Sequence, residues 1–254
     1  MCGIFGVIAR PDPELSVSNV KMVMDKLFLL SESRGKEAAG IAYINPDSIY
    51  VAKYAETASQ VIKRKTYKDI FDRNTSSESI HRSMKGGFPI CMMGHSRLVT
   101  NGGQQFHANN QPAIANGIVA IHNGIITNSN DLWLRYSHLK KSTQLDTEVF
   151  LAMLRDKLRQ TESLTEAVSA TYMDVEGVAS IIAYFEDINC VLLTTNNGSL
   201  YFGMNREKGI YVFASEKYIL TSFAKSRGIP LSMQNLIVRQ VEPGQGIVIS
   251  LDTL

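Results

Sequence analysis

Beyond Gly177 the chain reads as strand after strand, and this half does most to confine the fold. VASIIAYF, CVLLTT, SLYFG and IYVFAS are short runs rich in β-branched and aromatic residues. Short turns separate them, Asn196-Asn197-Gly198 among them. Strands joined so closely pair antiparallel, because a parallel pair needs a long crossover between its members. A short helix at 216–225 follows. Two further strands, 235–241 and 247–251, are joined by Pro243-Gly244-Gln245-Gly246.

The first half mixes two periodicities. CGIFGVIA, residues 2–9, is an apolar run that reads as a buried strand. Val20, Val23, Met24, Leu27 and Leu30 recur at helical spacing through 15–32. They predict an amphipathic helix, with Gly35 as a left-handed residue at its C-terminus. Segments 38–44 and 48–54 read as paired strands around the turn Asn45-Pro46-Asp47. Residues 57–87 are more polar and read as helix followed by a mobile loop. Strands at 90–98 and 117–122 flank a Gly/Asn/Gln-rich loop, 100–116, of a length that often carries function. A helix is expected at 146–159, and another begins at the capping box of Ser163 and Glu166. Helices in two groups and strands in antiparallel runs predict an α+β layered domain.

Composition narrows the function classes. Of 254 residues, 44% are apolar, enough for a sizeable core. The formal net charge of +2 gives no strong field, so neither nucleic acid nor a membrane surface is expected as a partner. Lys63-Arg64-Lys65 is expected to be a solvated face. Cys2, Cys91 and Cys190 show neither the count of a disulfide scaffold nor the spacing of a zinc site, which fits a reducing cytoplasm. No signal peptide or membrane-spanning stretch is visible. No metal-ligand spacing or phosphate-binding loop appears, so no cofactor is implied.

The position of Cys2 carries the first chemical clue. It follows the initiator Met, whose removal would leave Cys2 with a free α-amine of pKa about 7.7–8.0. Such an amine can accept the proton of its own side chain and so activate the thiol. On its own, this position is more often that of a chance cysteine on a buried strand.

The rest of the chain adds context. MCGIFGV at the start, SRGKEAAGIA at 33–42, GHSRLVTNGG at 94–103, Asn110-Gln111-Pro112, IHNGIITN at 121–128 and LDTEV at 145–149 fall in this order. FASEKYIL and VEPGQGIVI follow near the end. Together they resemble the class II glutamine amidotransferases, whose nucleophile is an N-terminal cysteine, and the match runs from residue 2 to about 250. The glutaminase domains of glucosamine-6-phosphate synthase and amidophosphoribosyltransferase are of this kind. The resemblance implies a four-layer αββα sandwich of two antiparallel sheets, the N-terminal nucleophile hydrolase fold, with residues 2–254 as a single glutaminase domain and no synthase domain. Leu98 and Asn101 depart from the sugar-phosphate members, where Trp or Tyr and His are common, and this leaves the acceptor of the ammonia open.

The resemblance also implies roles. Cys2 attacks the side-chain amide of L-glutamine and forms a γ-glutamyl thioester. Asn123 and Gly124 donate to the oxyanion, through a side-chain amide and a backbone N–H respectively. Arg97 pairs with the substrate α-carboxylate, which a guanidinium can hold bidentately. Asp146 holds the α-ammonium, a position where Asp is also a favoured helix N-cap. Thr100 helps close the site. His122-Asn123-Gly124 is read as a turn that aims the donors, and His95 and His122 as structural residues at strand ends. His81, His107 and His138 are expected to be exposed. The ammonia would pass to a separate synthase subunit, and a homo-oligomer is compatible with the sequence. Two other readings stay open: an inactive glutaminase fold that senses glutamine or regulates a synthase, and another N-terminal nucleophile amide hydrolase. A third is an interaction protein that docks through 57–87.

Overall fold

A computed structural model of the protein describes residues 2–10, 17–45, 48–74, 89–98, 105–234 and 236–254. Twelve strands in it form two antiparallel sheets. The larger has the order β11-β9-β10-β1-β4-β2-β3, from Ile237–Gln240 (β11), Tyr201–Asn205 (β9), Ile210–Ala214 (β10), Gly3–Ala9 (β1), Ile90–Arg97 (β4), Ala38–Asn45 (β2) and Ser48–Tyr54 (β3). The smaller runs β12-β8-β7-β6-β5, from Gln245–Ser250 (β12), Cys190–Thr195 (β8), Gly177–Phe185 (β7), Ile118–Ile126 (β6) and Ala113–Ala115 (β5).

Alternation along each strand explains how the sheets stack. Phe5, Val7 and Ala9 of β1 face a cluster that includes Val23, Leu27 and Phe28 of α1 (Val17–Ser31). The same cluster takes Ala58 and Val61 of α2 (Ala58–Val61), Tyr67 and Phe71 of α3 (Lys65–Asn74), and, near the end of the chain, Ile219 and Phe223 of α7 (Lys217–Ala224). Ile4 and Ile8, on the opposite face of β1, meet Ile121, Ile182 and Leu193 of the other sheet. Ile118, Ala120, Ile181 and Ala183 point outward again. They pack on Leu132 of α4 (Ser129–Arg135), Val149, Phe150 and Leu154 of α5 (Asp146–Thr161), and Ala167 of α6 (Leu164–Asp174). Three apolar layers separate four layers of structure, in the order helices, sheet, sheet, helices. This is the α+β sandwich the sequence predicts. Ser163 caps α6 through its hydroxyl, which accepts the Glu166 N–H at 3.4 Å.

Several expectations need correction. Gly35 does not terminate α1 in a left-handed conformation. A 3-10 turn, Glu32–Arg34, follows the helix, and Gly35 is extended at φ −170°. Glycine is needed there because a Cβ would lie 2.2 Å from the Arg97 carbonyl carbon. The His122-Asn123-Gly124 motif is not a turn. Strand β6 runs through it to Ile126, paired with β7 throughout. Leu145 takes the N-cap position of α5, which makes Asp146 the first helical residue. Helix α4 has no counterpart in the sequence reading. The loop expected after α3 begins outside the described residues, at 75–88.

Candidate active site

The layer between the sheets is apolar along most of its length and polar at one end. Cys2, directly before β1, continues the alternation of Ile4 and Ile8, while His95 and Arg97 continue that of Cys91 and Met93 on β4. Asn123 does the same for Val119 and Ile121 on β6, which faces β1 and β4 across the layer. These polar side chains are all buried. Thr100, the expected closing residue, lies outside the described residues, as does Met1.

The Cys2 thiol lies 3.5 Å from the carbonyl oxygen of Leu98, just past the end of β4. Burial pushes its pKa up, against the lowering effects of that contact and of the Arg97 charge. A thiol held neutral in this way needs a base before it is a strong nucleophile. The Arg97 guanidinium donates from Nη1 to Asn110 Oδ1 at 2.6 Å. Burial pulls its pKa down, while Cys2, Glu37 and Asp146 pull it back up. Cys2, Arg97 and Asp146 are thus close enough to feel one another's charge.

The free edge of β6 organises the rest. Strand β5 pairs with β6 only as far as Ala113 opposite Ala120, so beyond that point side chains take over from backbone. Gln111 Oε1 accepts the His122 N–H at 2.6 Å, and Asp146 Oδ2 accepts the Ile126 N–H at 2.8 Å. The His122 carbonyl accepts from His95 Nε2 at 3.3 Å, which fixes the proton of that ring on Nε2. Burial holds His95 neutral, with a pKa pulled down to about 3. The Gly124 N–H lies between the two capped amides and, by alternation, points from the same edge. Among the described residues no side chain caps it. Glycine is required at this point, since φ is +152° and a Cβ would lie 1.9 Å from the Val178 carbonyl oxygen.

Asn123 is fully buried, and among the described residues neither its side-chain nitrogen nor its oxygen has a hydrogen-bond partner. An unmatched buried amide costs about 1–3 kcal/mol. Asp146 is the opposite case. Burial works against its ionisation, but His122 and the N–H groups of Ile126 and Thr147 outweigh it and hold the carboxyl below its ordinary value. The site therefore combines a thiol, a guanidinium, an ionised carboxylate and two donors, an assembly suited to attack on the carbonyl of a zwitterionic amino acid.

The structure brings Cys2, Arg97, Asn123, Gly124 and Asp146 to one end of the sandwich. Sequence reasoning overlooked the supports Asn110, Gln111 and Thr147. All three stand in quoted motifs, Asn110-Gln111-Pro112 and LDTEV, the one signal that marked them. His107 and His138 are exposed, as expected, and His81 lies outside the described residues. Among the described residues no three His, Cys, Asp or Glu side chains cluster as metal ligands, and no helix is long and apolar enough to cross a membrane.

Known proteins place this geometry in context. Glutamine--fructose-6-phosphate aminotransferase of Chlamydia muridarum is 26% identical over 82% of the chain and 31% of its own length. Amidophosphoribosyltransferase of Methanocaldococcus jannaschii is 28% identical over 98% of the chain and 47% of its own length. The chain therefore spans less than half the length of either. Among solved structures, the allosteric regulatory enzyme of purine biosynthesis superposes with a TM-score of 0.69 at 21% identity, over 98% of this chain and 47% of that one. PRPP amidotransferase from B. subtilis, complexed with ADP and GMP, gives 0.66 at 19% with the same coverage. Both share the fold of two antiparallel sheets between helices, that of the N-terminal nucleophile hydrolases. Residues 95–222, half of the chain, match the family described as "Glutamine amidotransferase domain", and the chain belongs to that family.

Proposed function

We propose that residues 2–254 form one glutaminase domain that hydrolyses L-glutamine and delivers ammonia to a synthase module lying outside these residues. The observation that carries the reading is the pair at Asn123 and Gly124. A buried amide without partners and an uncapped N–H, side by side on β6, are donors waiting for an acceptor. A tetrahedral oxyanion is such an acceptor, and preorganised donors stabilise it without reorganising.

In this reading the Cys2 α-amine, freed by loss of Met1, takes the thiol proton as Sγ bonds to the amide carbon of glutamine. The oxyanion forms against Asn123 and Gly124. Its collapse breaks the C–N bond, the proton passes to the leaving nitrogen, and ammonia departs. Water then attacks the γ-glutamyl thioester, and glutamate leaves with the thiol restored. Arg97 holds the α-carboxylate, Asp146 the α-ammonium, and Thr100 helps close the site. The raised pKa of the buried thiol explains why a base is needed at neutral pH. The cysteines are all free, which suits a reducing compartment such as the cytoplasm.

The test is intact mass before and after treatment with 6-diazo-5-oxo-L-norleucine, a glutamine-like electrophile, on protein without an N-terminal tag. Loss of Met1 and one stoichiometric adduct on Cys2, blocked by glutamine and absent in Cys2→Ala, is the expected result. Protein that has lost Met1 and forms no adduct, alone or in cell lysate, would point instead to an inactive glutaminase fold.

A further inference from the structure

The ring of His122 takes no part in the chemistry above, yet it lies between two groups that do. On β6 it faces the helix side, opposite in direction to Asn123. Its Nδ1 is 3.1 Å from Thr147 Oγ1 and 3.7 Å from Asp146 Oδ1. Its Nε2 is buried and has no partner among the described residues, and a Cβ built on Gly124 would lie only 2.8 Å from it. The ring therefore spans from the Asp146 carboxylate to the underside of Gly124. Gln111 fixes the same residue from the other side. Its Oε1 holds the His122 N–H, and its Nε2 donates to Thr147 Oγ1 at 3.3 Å.

We propose that His122 is a positioning residue that sets the Asp146 carboxylate for the substrate α-ammonium and ties that pocket to Gly124. The inference rests on the glutaminase reading of Asp146 and Gly124. Asp146 Oδ2 is already committed to the Ile126 N–H, so Oδ1 takes its direction from the groups that face it, His122 Nδ1 and the Thr147 N–H. A phenyl ring fills the same space and offers no nitrogen. The effect should therefore fall on recognition of the amino-acid head group more than on the thiol itself.

Three variants separate this role from a merely structural one. His122→Phe keeps the ring and removes both nitrogens. His122→Asn restores a polar group near the position of Nδ1. Thr147→Val removes the hydroxyl and keeps the volume. Each is compared with the full chain by glutamine turnover, by inactivation with 6-diazo-5-oxo-L-norleucine, which carries the head group, and by alkylation with iodoacetamide, which does not. His122→Phe should raise KM for glutamine about tenfold, the scale of one lost polar contact to a charged group together with the Thr147 hydrogen bond. It should slow norleucine inactivation to match and leave iodoacetamide alkylation unchanged. His122→Asn should recover most of the loss in KM, and Thr147→Val should show a smaller rise.

An unchanged KM in His122→Phe overturns the proposal. So does an equal slowing of both electrophiles in His122→Phe and His122→Asn, which would mark the ring as packing alone. If His122→Phe does not fold, Thr147→Val decides by the same split between the two electrophiles. A wild-type protein that reacts with iodoacetamide, but neither reacts with the norleucine nor turns over glutamine, overturns the glutaminase reading and this inference with it.

Discussion

Two polar regions of this molecule handle their hydrogen bonds in opposite ways. Around Asp174, at the end of α6, almost everything is matched. Lys157 and Tyr136 both donate to Oδ2, Arg135 donates to Oδ1, and Asn128 donates to the backbone carbonyl. Lys157 also reaches the Ala170 carbonyl at 2.6 Å. These bonds join α4, α5 and α6. At the other region Asn123, more deeply buried than Asp174, has no partner among the described residues for either end of its amide, and His122 Nε2 is likewise unmatched beside it. A folding sequence can remove an orphan amide by replacing it with an apolar residue of similar size. In the proposed function the orphan at Asn123 meets its acceptor only during reaction, whereas saturation around Asp174 marks a joint.

Asn123→Ala should sharpen that contrast most. Losing one oxyanion donor is expected to cut turnover by about a hundredfold to a thousandfold, or about 3–4 kcal/mol in the transition state. Thermal stability should hardly move, because the lost packing is offset by removal of the unmatched amide. A large drop in melting temperature with turnover retained would make Asn123 a structural residue and erase the distinction. Gly124→Ala should come next. Its methyl would meet the Val178 carbonyl at 1.9 Å in a backbone region that alanine rarely adopts, so β6 must shift away from β7. A loss of about 1–3 kcal/mol in denaturant unfolding is expected, with turnover falling as well. Wild-type stability in this variant would mean that the strand gives way easily, and that the donors are not preorganised.

The strand half was legible because short β-branched and aromatic runs separated by short turns leave few alternatives. The helical spacing of Val20 to Leu30 and of Val149 to Leu158 was equally plain. Helix α4, SNDLWLR, escaped because seven residues hold less than two full helical repeats of pattern. Asn123-Gly124 suggested a turn, since that dipeptide favours one, and only pairing with Gly177–Ser180 keeps it in a strand. Gly35 was recognised as special for the wrong reason, because a close approach by Arg97 cannot be seen along the chain. The order of the motifs brought Cys2, Arg97, Asn123, Gly124 and Asp146 to notice, but their roles rest on the resemblance and on the tests above. The supports were marked only as members of quoted motifs, and their contacts could not be read. Gln111, just before β5, and Thr147, in the first turn of α5, are 36 residues apart and touch only because α5 packs on both β5 and β6.

The smallest effect should come from the saturated network, and it separates charge from packing. Burial works against ionisation of Asp174, but the hydrogen bonds of Lys157 and Tyr136, with the charges of Lys157 and Arg135, outweigh it. The folded carboxyl therefore lies below its ordinary value of 3.8. A lowered folded pKa gives stability that is complete above the unfolded value and is lost as pH falls through the folded one. Asp174→Asn should then lower stability at pH 7 by about 1 kcal/mol, a modest figure because water screens part of the network. The gap between variant and wild type should hold from pH 8 to pH 5 and close in acid below about pH 3–4. Glutamine turnover should be unchanged throughout. A gap that survives into acid would assign the contribution of Asp174 to neutral hydrogen bonds and shape. A loss of turnover at pH 7 would show that the joint between α4, α5 and α6 reaches the site through Asp146 at the start of α5, so that the two polar regions act as one.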